Sequence, residues 1–166
     1  PTVGLTGSNG KTTTKELFHA VLKTKYKVHA TKGNFNNHIG VPLTILSAPK
    51  ETEILIVEMG ANHQKEIGQL ASIAEPTLGY ITNYGKAHLE GFGGVEGIIK
   101  GKSELYDHIA RTTDGVALVN ADDMIQLEKS AACRRTTFGK TDAQFNYTLE
   151  EKDEFAGIQF SIATAS

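Results

Sequence analysis

Thr6-Gly7-Ser8-Asn9-Gly10-Lys11-Thr12-Thr13 decides the fold, because it sits where an apolar run stops and a helical pattern starts. Upstream, Thr2 to Thr6 is short and apolar; downstream, Lys11 to Lys23 places Leu17 with Val21 and Phe18 with Leu22 at helical spacing. Strand, glycine-rich loop and helix in that order make a phosphate-binding loop. Glycines let backbone N–H groups turn inward around phosphate oxygens, and the helix N-terminus adds the positive end of its dipole. Lys11, expected at an exposed loop edge, reaches the terminal phosphates, and a threonine hydroxyl holds magnesium. Gly7, Ser8, Asn9, Gly10, Lys11, Thr12 and Thr13 are therefore the candidate nucleotide-binding residues. The general pattern asks for a glycine where this chain has Leu5, so the strand and helix on either side carry the assignment.

Working outward, Tyr26 to Ala30, Glu53 to Val57, Thr77 to Thr82 and Val116 to Val119 read as further strands. Helical patterns fall between them, from Gln64 to Ile73, about Val95 to Ile109 and Asp122 to Ser130, with an apolar turn or short helix from Val41 to Ser47. Thr31 to His38 and Gly85 to Gly94 read as loops. Ile54, Leu55, Ile56 and Val57 are consecutive apolar residues, the mark of a strand covered on both faces and paired in parallel. This alternation predicts an α/β fold, a doubly wound and mostly parallel sheet with its ligand at the carboxyl edge of the strands. Arg135 to Phe138, Phe145 to Leu149 and Ile158 to Ile162 follow as strands with turns between, and are expected to form a small antiparallel C-terminal extension.

The chain has 166 residues, 39% of them hydrophobic, which suits one domain with a sizeable core. A net charge of -2 without like-charged runs gives no footprint for nucleic acid or an anionic membrane, so small-molecule partners are expected. No apolar run is long enough to span a bilayer. Cys133 is the single cysteine, which excludes a disulfide framework within the chain and fits a reducing cytoplasm. Pro1 is no initiator and Ser166 follows a strand-like run directly, so the chain is expected to be a piece of a longer protein.

A phosphate-binding loop alone leaves kinases, GTPases and ATPases open. Glu58 narrows the field: it ends the most apolar strand and puts a carboxylate at the carboxyl edge, where it can hold magnesium. Three further segments follow in order: Gly33-Asn34-Phe35-Asn36-Asn37-His38-Ile39-Gly40-Val41-Pro42, Glu58-Met59-Gly60-Ala61-Asn62-His63, and Ala87-His88-Leu89-Glu90-Gly91-Phe92-Gly93. With the phosphate loop they resemble, in order and spacing, the central ATP-binding domain of Mur ligases, over nearly the whole chain. The branch that adds D-alanyl-D-alanine is the most similar. The family shares the departure at Leu5, since its loop carries the first glycine closer to the lysine.

The resemblance implies an ATP-dependent peptide ligase of peptidoglycan precursor synthesis, in the bacterial cytoplasm. Such a ligase phosphorylates the carboxylate of a UDP-MurNAc-tripeptide, and the amine of D-Ala-D-Ala then attacks. Lys11, His88 and Lys102 match the catalytic residues, and Thr12, Glu58, His88 and Lys102 the magnesium site. Lys102 matches a lysine that the family carbamylates; Lys100 is the competing candidate. Asn34, Asn36, Asn37, Asn62 and His63 match segments near the carboxylate substrate. Residues 1–166 would then be the central domain, short of a later histidine-asparagine motif for adenine and lacking the N-terminal UDP-binding and C-terminal amine-binding domains. The alternatives are another ligase of the superfamily, including a folylpolyglutamate synthetase, or a nucleotide-driven switch that makes no amide bond.

Overall fold

A computed structural model of the chain describes residues 1–85, 89–152 and 155–162. The elements run β1 (Thr2–Thr6), α1 (Lys11–Leu22), β2 (Val28–Ala30), α2 (Gly40–Leu46), β3 (Ile54–Glu58), α3 (Glu66–Ala74) and β4 (Leu78–Ile81). They continue α4 (Leu89–Phe92), α5 (Val95–Arg111), β5 (Val116–Asn120), α6 (Met124–Lys129), β6 (Arg134–Gly139), β7 (Phe145–Lys152) and β8 (Phe155–Ile162). The eight strands among the described residues join one sheet in the order β2-β3-β1-β4-β5-β6-β7-β8. Every pairing is parallel except that of β7 with β8.

The order of strands places the helices. From β1 the chain moves one way to reach β2, and from β3 it moves the other way to reach β4, so right-handed crossovers put α1 on one face and α3 on the opposite one. β3 reads as unbroken apolar sequence for that reason. Ile54 and Ile56 pack with Val3, Phe18 and Leu22 under α1, while Val57 joins Ile67, Leu70, Leu105 and Ile109 on the other face. α3 lies between α2 and α5, completing the larger layer. Where neighbouring strands send their helices to opposite faces, a crevice opens outside their carboxyl ends. β1 and β3 are such neighbours, and their register sets Leu5 beside Glu58.

Two expectations change. Arg135 to Phe138 does not belong to an antiparallel extension: β6 runs parallel to β5, because α6 forms a crossover that returns the chain in the same direction. The antiparallel part is the β7–β8 hairpin alone. β7 pairs its first residues, Phe145 and Asn146, with the last of β6, Phe138 and Gly139, so the hairpin projects past the carboxyl edge. The stretch expected as a loop from Gly85 to Gly94 contains the single turn of α4.

Candidate active site

The phosphate loop is built at the end of β1 and held from the side by β4. Gly10 takes the left-handed conformation, with φ at 77°, and passes the chain into α1. At Gly7 any side chain would collide with its neighbour, since a Cβ there would lie 1.9 Å from Thr82 Oγ1. The Thr82 hydroxyl donates to the Asn9 carbonyl at 2.6 Å, and the Asn83 amide nitrogen donates to the same oxygen at 3.0 Å. Asn9 N–H returns a bond to Asn83 Oδ1 at 3.2 Å, and Ser8 N–H donates to the Asn83 carbonyl at 3.1 Å. Ser8 Oγ adds a bond to the Gly85 carbonyl at 2.5 Å.

Lys11 is not at an exposed edge. It is half-buried, because its ammonium folds back to donate to the Gly7 carbonyl at 2.8 Å, where a phosphate oxygen would compete for it. Burial lowers its pKa, and the Glu58 carboxylate opposes that shift. Thr12 turns toward β3, its hydroxyl donating to Glu58 Oε2 at 3.1 Å. Thr13 is exposed.

Glu58 is only 1% exposed, so it is no solvated cap on a strand. A buried ionised carboxylate needs donors, and three groups meet it: Thr12, the Asn36 amide at 3.0 Å from Oε1, and the Lys15 ammonium at 4.0 Å from Oε2. Its backbone N–H donates to Thr31 Oγ1 at 3.0 Å. Carboxylate and hydroxyl oxygens facing one another at the mouth of a phosphate loop are the donor set a hard divalent cation prefers, so the residues fit magnesium.

Lys102 and Lys100 separate cleanly. Lys102 is 2% exposed, with its ammonium 5.3 Å from the centre of the Phe92 ring, whereas Lys100 is on the surface. Burial, and then the charge of Lys11, bring the pKa of Lys102 down to about 8. His88 lies outside the described residues.

Beside Lys11 opens a cavity of about 380 Å³ walled by Asn36, Asn37, Gly60, Asn62 and Gln69. Asn36, Asn37 and Asn62 therefore meet at one place. Asn34 and His63 are exposed and do not line it. Asn37 Oδ1 also accepts from Gly40 N–H at 2.9 Å and Ile39 N–H at 3.1 Å, fixing the start of α2. The backbone N–H groups of Asn62 and His63 donate to Glu66 Oε2 at 2.7 and 3.0 Å. Partial burial raises the Glu66 pKa, but these bonds outweigh it and the net shift is downward.

Sequence reading missed three groups. Lys15 is one turn beyond Lys11 on the same helix face, a spacing that could have pointed to Glu58. Thr82 and Asn83 follow Ile81, which pairs with Thr6, so their place beside the phosphate loop follows only once β4 is known to neighbour β1.

Residues 5–164 match the family model described as the Mur ligase middle domain. The chain is 43% identical over 161 residues to a UDP-N-acetylmuramoyl-tripeptide:D-alanyl-D-alanine ligase of Bacillus subtilis, covering 96% of this chain and 34% of that protein. It superposes on a crystal structure of MurF from Acinetobacter baumannii with a TM-score of 0.88 and 37% identity, covering 98% of this chain and 36% of the other. MurF ligase from Thermotoga maritima in complex with ADP gives a TM-score of 0.85 and 35% identity, over 96% and 37% of the two chains. The chain thus spans about a third of the length of these proteins. Matched along almost its entire length, the chain belongs to the Mur ligase family.

Proposed function

We propose that this chain is the central ATP-binding domain of a UDP-MurNAc-tripeptide:D-Ala-D-Ala ligase of peptidoglycan precursor synthesis, working in the bacterial cytoplasm. One observation carries the reading: Thr12 of the phosphate loop meets the buried Glu58, and Lys11 beside it lines a polar cavity. Relatives that bear the ligase name, and one solved with ADP, support it. None of the described helices is long and apolar enough to cross a membrane. The UDP-sugar and the D-Ala-D-Ala amine are assigned to flanking domains of the full-length protein, and no nucleic acid takes part.

The chemistry follows from the parts. The tripeptide carboxylate attacks the terminal phosphorus of ATP, ADP leaves, and an acyl phosphate results. The D-Ala-D-Ala nitrogen then bonds to the acyl carbon, loses a proton, and phosphate departs. Both steps depend on positioning and charge neutralisation more than on a protein nucleophile. Lys11 exchanges its bond to the Gly7 carbonyl for phosphate oxygens, and the loop N–H groups hold the nucleotide. Asn36, Asn37 and Asn62, on the cavity wall, orient the carboxylate. Thr12 and Glu58, with His88 and a carbamylated Lys102, would hold magnesium, which when bound neutralises phosphate charge.

Carbamylation needs a neutral amine, and burial gives Lys102 a larger neutral fraction than an ordinary lysine; Lys100 lies on the exposed side of the helix. In the full-length protein, phosphate release should require both the tripeptide and D-Ala-D-Ala. Release with ATP alone would favour the switch reading instead. Lys102→Ala should lose activity that bicarbonate does not restore, with short carboxylic acids giving partial rescue. Full activity in that variant, with loss in Lys100→Ala, would move the role to Lys100.

A further inference from the structure

We infer that Asn36 is a positioning residue that fixes the rotation of the Glu58 carboxylate, in addition to walling the cavity; this rests on Glu58 being a magnesium ligand. The last torsion of a glutamate is broad and twofold, so burial of Glu58 does not by itself choose how the carboxylate plane is turned. Thr12 Oγ1 lies 3.1 Å from one oxygen and 3.4 Å from the other, and its rotating hydroxyl serves either. Lys15 Nζ stands 4.0 Å from Oε2, beyond hydrogen-bond reach, and Asn36 Nδ2 breaks the tie by donating to Oε1 at 3.0 Å. A carboxylate only accepts, so the NH2 end of the amide must face Glu58.

Asn36 is itself clamped. Its backbone carbonyl oxygen accepts from Gly60 N–H at 2.7 Å. A Cβ on Gly60 would lie 2.8 Å from Asn36 Cγ and from Oδ1, so the close approach requires glycine there. The loop between β2 and α2 thus grips the segment after β3 by one backbone bond and one side-chain bond. A metal that takes Glu58 as ligand meets a carboxylate already oriented. Because the same side chain lines the 380 Å³ cavity, the loop that meets a carboxylate substrate also sets the metal ligand.

The test uses the full-length ligase with ADP and Mn2+ and no tripeptide or amine, reading metal affinity from the electron paramagnetic resonance of free Mn2+. Removal of a group that orients a metal ligand weakens metal binding about 10- to 100-fold, and Asn36→Ala should do so. ADP affinity in metal-free buffer should stay at the wild-type value, which reports an intact phosphate loop. Gly60→Ala keeps the amide but displaces it, and should weaken Mn2+ in the same direction. Unchanged Mn2+ affinity in both variants overturns the inference, whatever happens to the KM for the tripeptide. Glu58→Gln separates the two claims: if it too leaves Mn2+ binding unchanged, the metal-ligand reading of Glu58 falls.

Discussion

Lys102 should cost this protein stability, and Lys102→Met should return it. The side chain is 2% exposed, and its pKa falls from the ordinary 10.5 to about 8, chiefly through burial. At about 1.4 kcal/mol per tenfold, keeping it charged in the fold costs about 3 kcal/mol at neutral pH. The Phe92 ring, 5.3 Å from the ammonium, gives back about 1 kcal/mol, so the penalty wins. Methionine fills similar volume without a charge, and the variant should unfold about 2 kcal/mol harder. The sign of the pH dependence follows. Between pH 8 and 10.5 the unfolded chain binds more protons than the folded one, so the wild type gains stability as pH rises, and below pH 8 the full penalty applies. Tyr84 and Tyr106, whose pKa values burial raises, oppose this above pH 10 and cancel when variant and wild type are compared. Urea unfolding at pH 7.5 and 9.5, without magnesium or carbon dioxide, reads the difference. It should shrink at the higher pH. A Lys102→Met protein that is less stable than wild type at pH 7.5, or a difference independent of pH, would refute the reasoning.

Lys11→Ala should lower ADP affinity about 10- to 100-fold, the worth of a charge-assisted hydrogen bond, while the circular dichroism spectrum stays that of the wild type. Calorimetric titration checks it. Gly7→Ala forces a Cβ against Thr82 Oγ1 and should lose about 1 to 3 kcal/mol in thermal unfolding, part of which Gly7→Ala with Thr82→Ala recovers. Glu104 accepts from Lys65 N–H at 2.6 Å and Gly68 N–H at 2.8 Å, so its carboxylate closes the start of α3 from the neighbouring helix. Glu104→Ala should therefore cost about 1 to 2 kcal/mol by urea titration, with ADP affinity unchanged.

What could be read from the sequence was local. Thr2 to Thr6, the glycines and Lys11 form strand, loop and helix within about twenty residues, so periodicity and turn chemistry reach the answer. Glu58 was legible because an apolar run stops at it and the carboxyl edge of a parallel sheet is where ligands bind. Non-local facts stayed hidden. That Arg134–Gly139 is a parallel strand depends on α6 acting as a crossover, and the strand residues alone do not say which way they run. That Thr82 and Asn83 brace Asn9 depends on β4 being the neighbour of β1. Asn34 and His63 show the converse: they share segments with residues that line the cavity, yet do not line it themselves.

The charges around the site explain how a chain of net charge -2 can take a polyanionic nucleotide. Lys11 and Lys15 both stand near one buried carboxylate, Glu58, and Lys102 is near enough to Lys11 to feel its charge, so positive charge is in local excess. Burial lowers the pKa of both Lys11 and Lys102; repulsion from the charge of Lys11 adds to the shift at Lys102, whereas Glu58 opposes it at Lys11. An exposed pair of lysines would spread that repulsion through solvent and gain little from a phosphate. Here the desolvation that lowers both pKa values also strengthens the attraction for an anion that reaches Lys11. The cations a phosphate would meet are thus concentrated at one place in the fold, and the rest of the surface remains free to be weakly acidic.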